Sequence, residues 1–232
     1  MRRPESLPQE RPELPVVERP RDTPAKDFAY QYIKRLIVDL VLPPGDLITE
    51  MDIAKVTGLS RTPVREAFLR LDAEKLIQLL PRRGALVTQI TARQIRELHR
   101  TRLALELYAV QELCTRRIEV AEELRPIVER QEKLTAEDAG YPEIIACDRE
   151  FHTTLVTAVG NTVLTEVYSS MGDRQQRTGI AAFLVQPDRP QRAVENHRQI
   201  IEALEEFDLA STQDLLRDHL DHHTEELERY LP

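Results

Sequence analysis

Cysteine is scarce in this 232-residue chain. Only Cys114 and Cys147 are present, in neither metal-ligand nor redox spacing, which leaves two free thiols suited to a reducing cytoplasm. Long apolar runs are missing as well. The longest falls far short of a membrane span, and no apolar signal region follows the N-terminus. No internal repeat is visible. The chain also lacks net positive charge, with 32 Lys and Arg against 40 Asp and Glu. That deficit is uneven. Residues 25–92 hold ten basic and eight acidic residues, residues 93–232 hold 17 and 27, and residues 1–24 hold five of each. Attraction to phosphate is local and screened within about 10 Å, so any contact with DNA belongs to the first third.

What is present is an ordinary soluble balance, 41% hydrophobic and 31% charged, enough for one large or two modest domains. Residues 1–24 carry six prolines and few bulky apolar side chains and read as a disordered arm. From Phe28 the pattern turns helical: Phe28, Tyr32, Ile33, Leu36, Ile37 and Leu40 recur on one face until Pro43-Pro44-Gly45 stops the run. A short helix follows Thr49 and breaks at Gly58. Ser60 is then the expected cap of a third helix reaching about Glu74, with Pro63 tolerated in its first turn. Ile77–Leu80, Pro81-Arg82-Arg83-Gly84 and Ala85–Thr88 read as strand, turn and strand. Three helices and a hairpin predict a winged helix-turn-helix over 25–90. Beyond Thr91 no segment reads as strand. Helices are expected near 92–118, 121–137, 142–159, 162–178, 188–206 and 209–230, with Gly140, Gly160, Gly172 and Gly179 at their ends. The fold class is therefore mostly α: a winged helix-turn-helix followed by an all-α six-helix bundle over 91–232.

On the third helix, Val64, Ala67, Phe68 and Leu71 share the core face, while Arg61, Thr62 and Arg65 cluster on another within the first turn and a half. A recognition helix needs that arrangement: its N-terminal end meets the duplex, and its guanidiniums reach base edges or phosphates. The stretches Pro43-Pro44-Gly45-Asp46-Leu47 and Gly58-Leu59-Ser60-Arg61-Thr62-Pro63-Val64-Arg65-Glu66-Ala67 resemble the signature of the GntR family of regulators. The resemblance implies that Arg61, Thr62 and Arg65 contact DNA, with Ser60 beside them and with Arg83 and Gly84 at the wing entering the minor groove. Two residues depart from the pattern. Met51 stands where fatty-acid-responsive FadR members place a base-reading arginine, and Lys75 replaces the glycine usual after the recognition helix.

In the second part, polar residues sit inside apolar stripes. Asp148 and His152 share a face with Ile144, Ile145, Leu155 and Val159; His197 lies with Val194, Ile200, Ile201 and Leu204, and His219 with Leu215 and Leu216. Three inward histidines and one carboxylate from three helices supply four N/O ligands for a divalent metal. The order Asp148-Arg149-Glu150-Phe151-His152, Gly160-Asn161, Glu195-Asn196-His197, Asp208 and His219 resembles the FCD sensor domain of FadR-like GntR regulators, and with six expected helices its shorter VanR-type form. That resemblance implies a buried zinc, or nickel or manganese, held by Asp148, His152, His197 and His219, with His222 and His223 as weaker competitors. Asn161 is expected to cap a helix. Arg102 shares an inward stripe with Ile95, Leu98, Leu105 and Ala109, and a buried guanidinium needs an anion. Two partners remain open: Glu106 one turn on, or the carboxylate of a small effector.

The leading expectation is a homodimeric, ligand-responsive regulator reading a two-fold symmetric operator on double-stranded DNA. A metal-dependent hydrolase is disfavoured, because no acid/base is placed like that of a metalloprotease and a DNA-binding half has no use in an enzyme. A third reading makes the metal itself the signal.

Overall fold

The chain divides after Gln89 into two units, each with its own hydrophobic core. The computed structural model describes residues 13–186 and 188–230, with side chains up to Asp221. His222 and His223 therefore lie outside the described side chains, as do residues 1–12 of the expected arm.

In the first unit α1 (Ala25–Val38), α2 (Glu50–Thr57) and α3 (Arg61–Ala73) pack through Ile33, Ile37, Ile53, Val64, Phe68 and Leu71, all essentially inaccessible to solvent. A capping box opens α2: Thr49 Oγ1 accepts from the Asp52 amide while the Asp52 carboxylate accepts from the Thr49 amide. Gly58, at φ 66°, closes it. Ser60 occupies the N-cap position of α3 in extended backbone, but its side chain makes no capping bond, contrary to expectation. The far end of α3 is a Schellman turn, with the Leu76 amide donating to Leu71 O at 3.0 Å and the Lys75 amide to Asp72 O at 3.0 Å. Lys75 holds the left-handed position at φ 61°, so the departure from glycine carries the backbone strain that a side chain meets there.

The hairpin β2 (Ile77–Leu80) and β3 (Gly84–Val87) is joined by a short strand that sequence patterning passed over, β1 (Leu47–Ile48). The antiparallel order is β1-β3-β2, with Leu47 opposite Leu86 and Ile77 opposite Val87. Residues 13–24 also differ from a free arm. Tyr32 Oη donates to Pro15 O at 2.6 Å, and the Val17 amide donates to Val56 O at 3.2 Å.

The second unit contains seven helices among the described residues: α4 (Ala92–Arg116), α5 (Ala121–Ala136), α6 (Tyr141–Thr157), α7 (Thr162–Ser169), α8 (Gly172–Val185), α9 (Arg189–Glu205) and α10 (Leu209–Tyr230). The all-α character is as expected. The count of six is corrected, because the single helix expected over 162–178 is two. The chain bends where Ser170 Oγ donates back to Val167 O at 2.7 Å and the Met171 amide donates to Tyr168 O at 3.1 Å, three residues back instead of four. Gly172 opens α8 beside the Arg149 guanidinium; a Cβ there would sit 2.5 Å from Arg149 Nη2. Gly179, expected at a helix end, lies inside α8, where a Cβ would meet Ile145 Cδ1 at 2.8 Å. Its absence of side chain lets α8 close on α6. Val110, Leu113, Phe151, Leu155, Val156 and Leu216 are fully buried and form the centre of this bundle. No described helix is long and apolar enough to cross a membrane.

Candidate functional site

The N-terminal end of α3 presents Ser60, Arg61, Thr62 and Arg65 to solvent. Arg61 forks onto Glu50 at the start of α2, with Nη2 3.0 Å and Nε 3.3 Å from Oε2. Arg65, Arg82 and Arg83 line a groove with Met51 and Leu69 between α3 and the wing. The wing tip is a type II turn: the Arg83 amide donates to Leu80 O at 3.0 Å, with Pro81 at its second position and Arg82 at φ 62° in its third. This turn holds Arg82 and Arg83 out beside Arg65. Gly84 has a structural reason of its own. Its φ is +111°, and a Cβ would lie 2.3 Å from Ile48 O, the backbone of β1. Gly84→Ala should therefore cost about 1–3 kcal/mol, read as an earlier urea midpoint in the first unit. Unchanged unfolding would show that β1 gives way freely.

The second constellation is buried. Asp148 and His152 come from successive turns of α6, His197 from α9 and His219 from α10, and one ligand atom from each lies within 4.8 Å of the others. His152 Nε2 is 3.1 Å from His219 Nε2 and 3.4 Å from His197 Nε2; Asp148 Oδ1 is 3.6 Å and 3.9 Å from His197 and His219 Nε2. Four bonds of about 2.0–2.1 Å to a central ion place tetrahedral ligand atoms about 3.3 Å apart, close to this spacing.

The imidazoles are held from behind. His197 Nδ1 donates to Gln131 Oε1 at 2.8 Å, and His152 Nδ1 faces Glu106 Oε2 at 2.7 Å. Both contacts place the proton on Nδ1 and leave the Nε2 lone pair directed inward. Glu106 Oε1 also accepts from Arg102 Nε at 3.0 Å and from Tyr168 Oη at 2.7 Å. Burial opposes ionisation of Glu106, but His152, Arg102 and these hydrogen bonds outweigh it and hold its pKa at about 2.

Burial pushes the His197 pKa down to about 3, against the pull of Asp148, and drives His219 well below its ordinary value. Asp148 is held at about 2: burial opposes its charge, and the three histidines and Arg102 favour it. Without an ion these tendencies conflict, since histidines kept neutral by burial cannot also neutralise Asp148. Asp148 Oδ1 is buried and has no hydrogen-bond partner. A divalent cation resolves the conflict, because it requires neutral imidazoles and a carboxylate. The donor set fits a metal.

Arg102 is nearly buried, and its ion pair with Glu106 uses only Nε. Its Nη2 is buried without a hydrogen-bond partner, as is Gln175 Nε2. Both residues line a small cavity with Asp148 and Thr178, walled by Ile95, Leu98, Ile145 and Leu220.

Residues 25–87 match the bacterial regulatory proteins of the gntR family, and residues 97–222 match the FCD domain. The chain belongs to the GntR family of transcriptional regulators. Over 204 residues it is 30% identical to an uncharacterized HTH-type transcriptional regulator from an unstable DNA locus of Streptomyces ambofaciens, covering 86% of this chain and 84% of that one. Over 188 residues it is 29% identical to the gluconate operon transcriptional repressor of Bacillus subtilis, covering 78% and 76%. Escherichia coli McbR/YncC has the same fold at 23% identity, with a TM-score of 0.71 over 89% of this chain and 98% of that one. The chain is thus a regulator with a DNA-binding helix-turn-helix and an FCD domain, and not an enzyme.

Asp148, His152, His197 and His219, the four residues expected as ligands, converge, and Arg102 lines a cavity with Asp148. Asn161 caps α7, accepting from the Leu164 amide at 3.1 Å. Asp208 caps α10, accepting from the Ser211 amide and hydroxyl. Sequence reasoning missed Gln131 and Tyr168, and saw Glu106 only as a partner of Arg102. Gln131 was visible as a polar break in the Leu124, Ile127, Val128 stripe of α5; Tyr168 carried no signal beyond its apolar neighbours.

Proposed function

We propose that this GntR regulator is a homodimeric repressor in the cytoplasm. Its FCD domain holds a divalent metal, zinc before nickel or manganese, and senses a small carboxylate. The metal reading rests on the four converging ligand atoms of Asp148, His152, His197 and His219. An ion there supplies positive charge in a low-dielectric interior and an open position for an oxygen ligand. The effector reading rests on the unpartnered Arg102 Nη2 beside that centre. Gluconate, whose operon the Bacillus subtilis relative represses, is a carboxylate of this class. On the DNA side, Arg61, Thr62 and Arg65 read the duplex with Ser60 beside them, and Arg83 and Gly84 bring the wing to the minor groove. An effector that fits one arrangement of the two subunits better than another shifts their population and with it operator affinity.

The deciding experiment is Arg102→Met, titrated calorimetrically against a panel of small carboxylates. The variant should keep its metal and its operator binding but lose about 3–5 kcal/mol of stability, because Glu106 stays buried without its cation and keeps only Tyr168 Oη and His152 as neighbours. Affinity for the responding acid should fall by about 2–5 kcal/mol, the usual loss when one side of a desolvated charge pair is truncated. Wild-type affinity in Arg102→Met would reduce Arg102 to a partner of Glu106.

A further inference from the structure

We infer that Glu106 is a positioning residue that couples the anion site to the metal site, so that filling one strengthens the other; the inference rests on the metal and effector reading above. Its two carboxylate oxygens have separate duties. Oε1 accepts from Arg102 Nε and Tyr168 Oη, and Oε2 faces His152 Nδ1 at 2.7 Å. Glu106 is wholly buried. The contact between Oε2 and His152 Nδ1 falls short of hydrogen-bond geometry at its present angle, and neither atom has any other hydrogen-bond partner, so each is open to the other.

One negative charge therefore serves two claimants on opposite sides. While the cavity holds no anion, the Arg102 guanidinium leans on Glu106, with Nη2 unmatched. An acid seated at Nη2 shares the guanidinium's charge and leaves more of the Glu106 carboxylate for the His152 N–H. A stronger hydrogen bond at Nδ1 makes Nε2 a better electron donor, as carboxylate–imidazole pairs behind metal ligands do. Linkage requires the converse: metal at His152 Nε2 polarises Nδ1–H toward Oε2, and the anion then binds better. Tyr168 Oη adds a third helix, α7, to the same carboxylate, so the hub joins α4, α6 and α7.

Replacement by glutamine breaks this sharing. If the amide oxygen keeps Arg102 and Tyr168, the amide N–H₂ faces His152 Nδ1. That nitrogen must then accept, which moves the ring proton to Nε2, where it blocks a ligand. Glu106→Gln should weaken zinc about 10- to 100-fold although no proposed ligand is removed. Tyr168→Phe removes a donor from Oε1 only, leaves Oε2 untouched and serves as control, with zinc affinity within about threefold.

The test is competition of zinc against a chromophoric chelator, with and without acetate, on full-length dimer or monomer as isolated. In wild type, acetate should tighten zinc; in Glu106→Gln the tightening should shrink along with the basal affinity. Proton–nitrogen NMR of the histidine rings supplies a readout that mere loosening would not produce. Wild-type His152 should be the Nδ1–H tautomer, and its Nδ1 proton should move downfield with acetate in the zinc-loaded protein but not in Arg102→Met. That comparison needs no Glu106 variant and stands even where Glu106→Gln fails to fold. If wild type takes up no zinc, the underlying reading falls and the inference with it. Normal zinc uptake with an unchanged acetate effect in Glu106→Gln, or an Nδ1 proton indifferent to acetate, overturns the coupling alone.

Discussion

Protein purified without chelator should carry about one divalent ion per chain, and His197→Ala should lose most of it. His197 Nε2 lies 3.4 Å from His152 Nε2 and 3.6 Å from Asp148 Oδ1, and its ring stacks on Phe151 with centroids 4.0 Å apart. The substitution removes one donor of four and leaves Gln131 Oε1 without its partner. Stability should follow the metal. An ion present at about a thousand times its Kd stabilises the fold that binds it by about 4 kcal/mol. For a chain of 150–250 residues each kcal/mol shifts Tm by about 2–4 °C, so chelation should lower wild-type Tm by about 8–16 °C. Chelator should leave Tm of His197→Ala nearly unmoved, which separates loss of metal from loss of packing against Phe151. Elemental analysis finding no metal in protein never exposed to chelator would refute the four-ligand centre.

The parts of the fold that could be read in the sequence were those with local causes. Apolar spacing locates α1 and α3; Thr49 and Gly58 bound α2. The hairpin followed from turn chemistry at Pro81–Gly84. β1 escaped because two residues carry no periodicity, and it exists only by pairing with Leu86 and Ala85. Glycine spacing predicts helix ends in the second unit, yet α4, α5 and α9 are followed by Arg117, Asp138 and Phe207 in left-handed conformation. Glycine is the usual occupant of that position, so this chain's ends are set by tertiary packing that overrides the local preference. Gly179 lies inside α8 for the converse reason: it makes room for Ile145 of α6, as Gly172 at the start of α8 does for Arg149, and such crowding is invisible along one helix. The four candidate ligands are readable because helical periodicity alone turns Asp148, His152, His197 and His219 inward. Their supports depend on which helix faces which: Glu106 of α4 faces His152, Gln131 of α5 holds His197, and Tyr168 of α7 braces Glu106.

Arg65→Ala should abolish specific operator binding while leaving the fold intact. Arg65 is exposed on the second turn of α3 and makes no ion pair or hydrogen bond among the described residues, so no internal contact is lost with it. Arg61 differs, since its guanidinium already rests on Glu50. Removing Arg61 also frees the Glu50 carboxylate at the surface proposed to face DNA, whereas removing Arg65 would subtract a contact and nothing else. A base or phosphate contact of this kind is worth about 1–3 kcal/mol. The proposed homodimer, engaging two half-sites, would lose it twice, about 2–6 kcal/mol or roughly 30- to 20,000-fold in Kd. Fluorescence anisotropy on an operator selected from random duplexes measures that loss, and circular dichroism checks the fold. The salt dependence then identifies the contact. If Arg65 holds phosphate, the slope of log K against log salt falls by about one per half-site and binding weakens on every sequence; if it reads a base edge, the slope holds and discrimination at one position relaxes. Unchanged affinity for the selected operator would remove Arg65 from the reading face and leave the wing arginines, Arg82 and Arg83, to carry it.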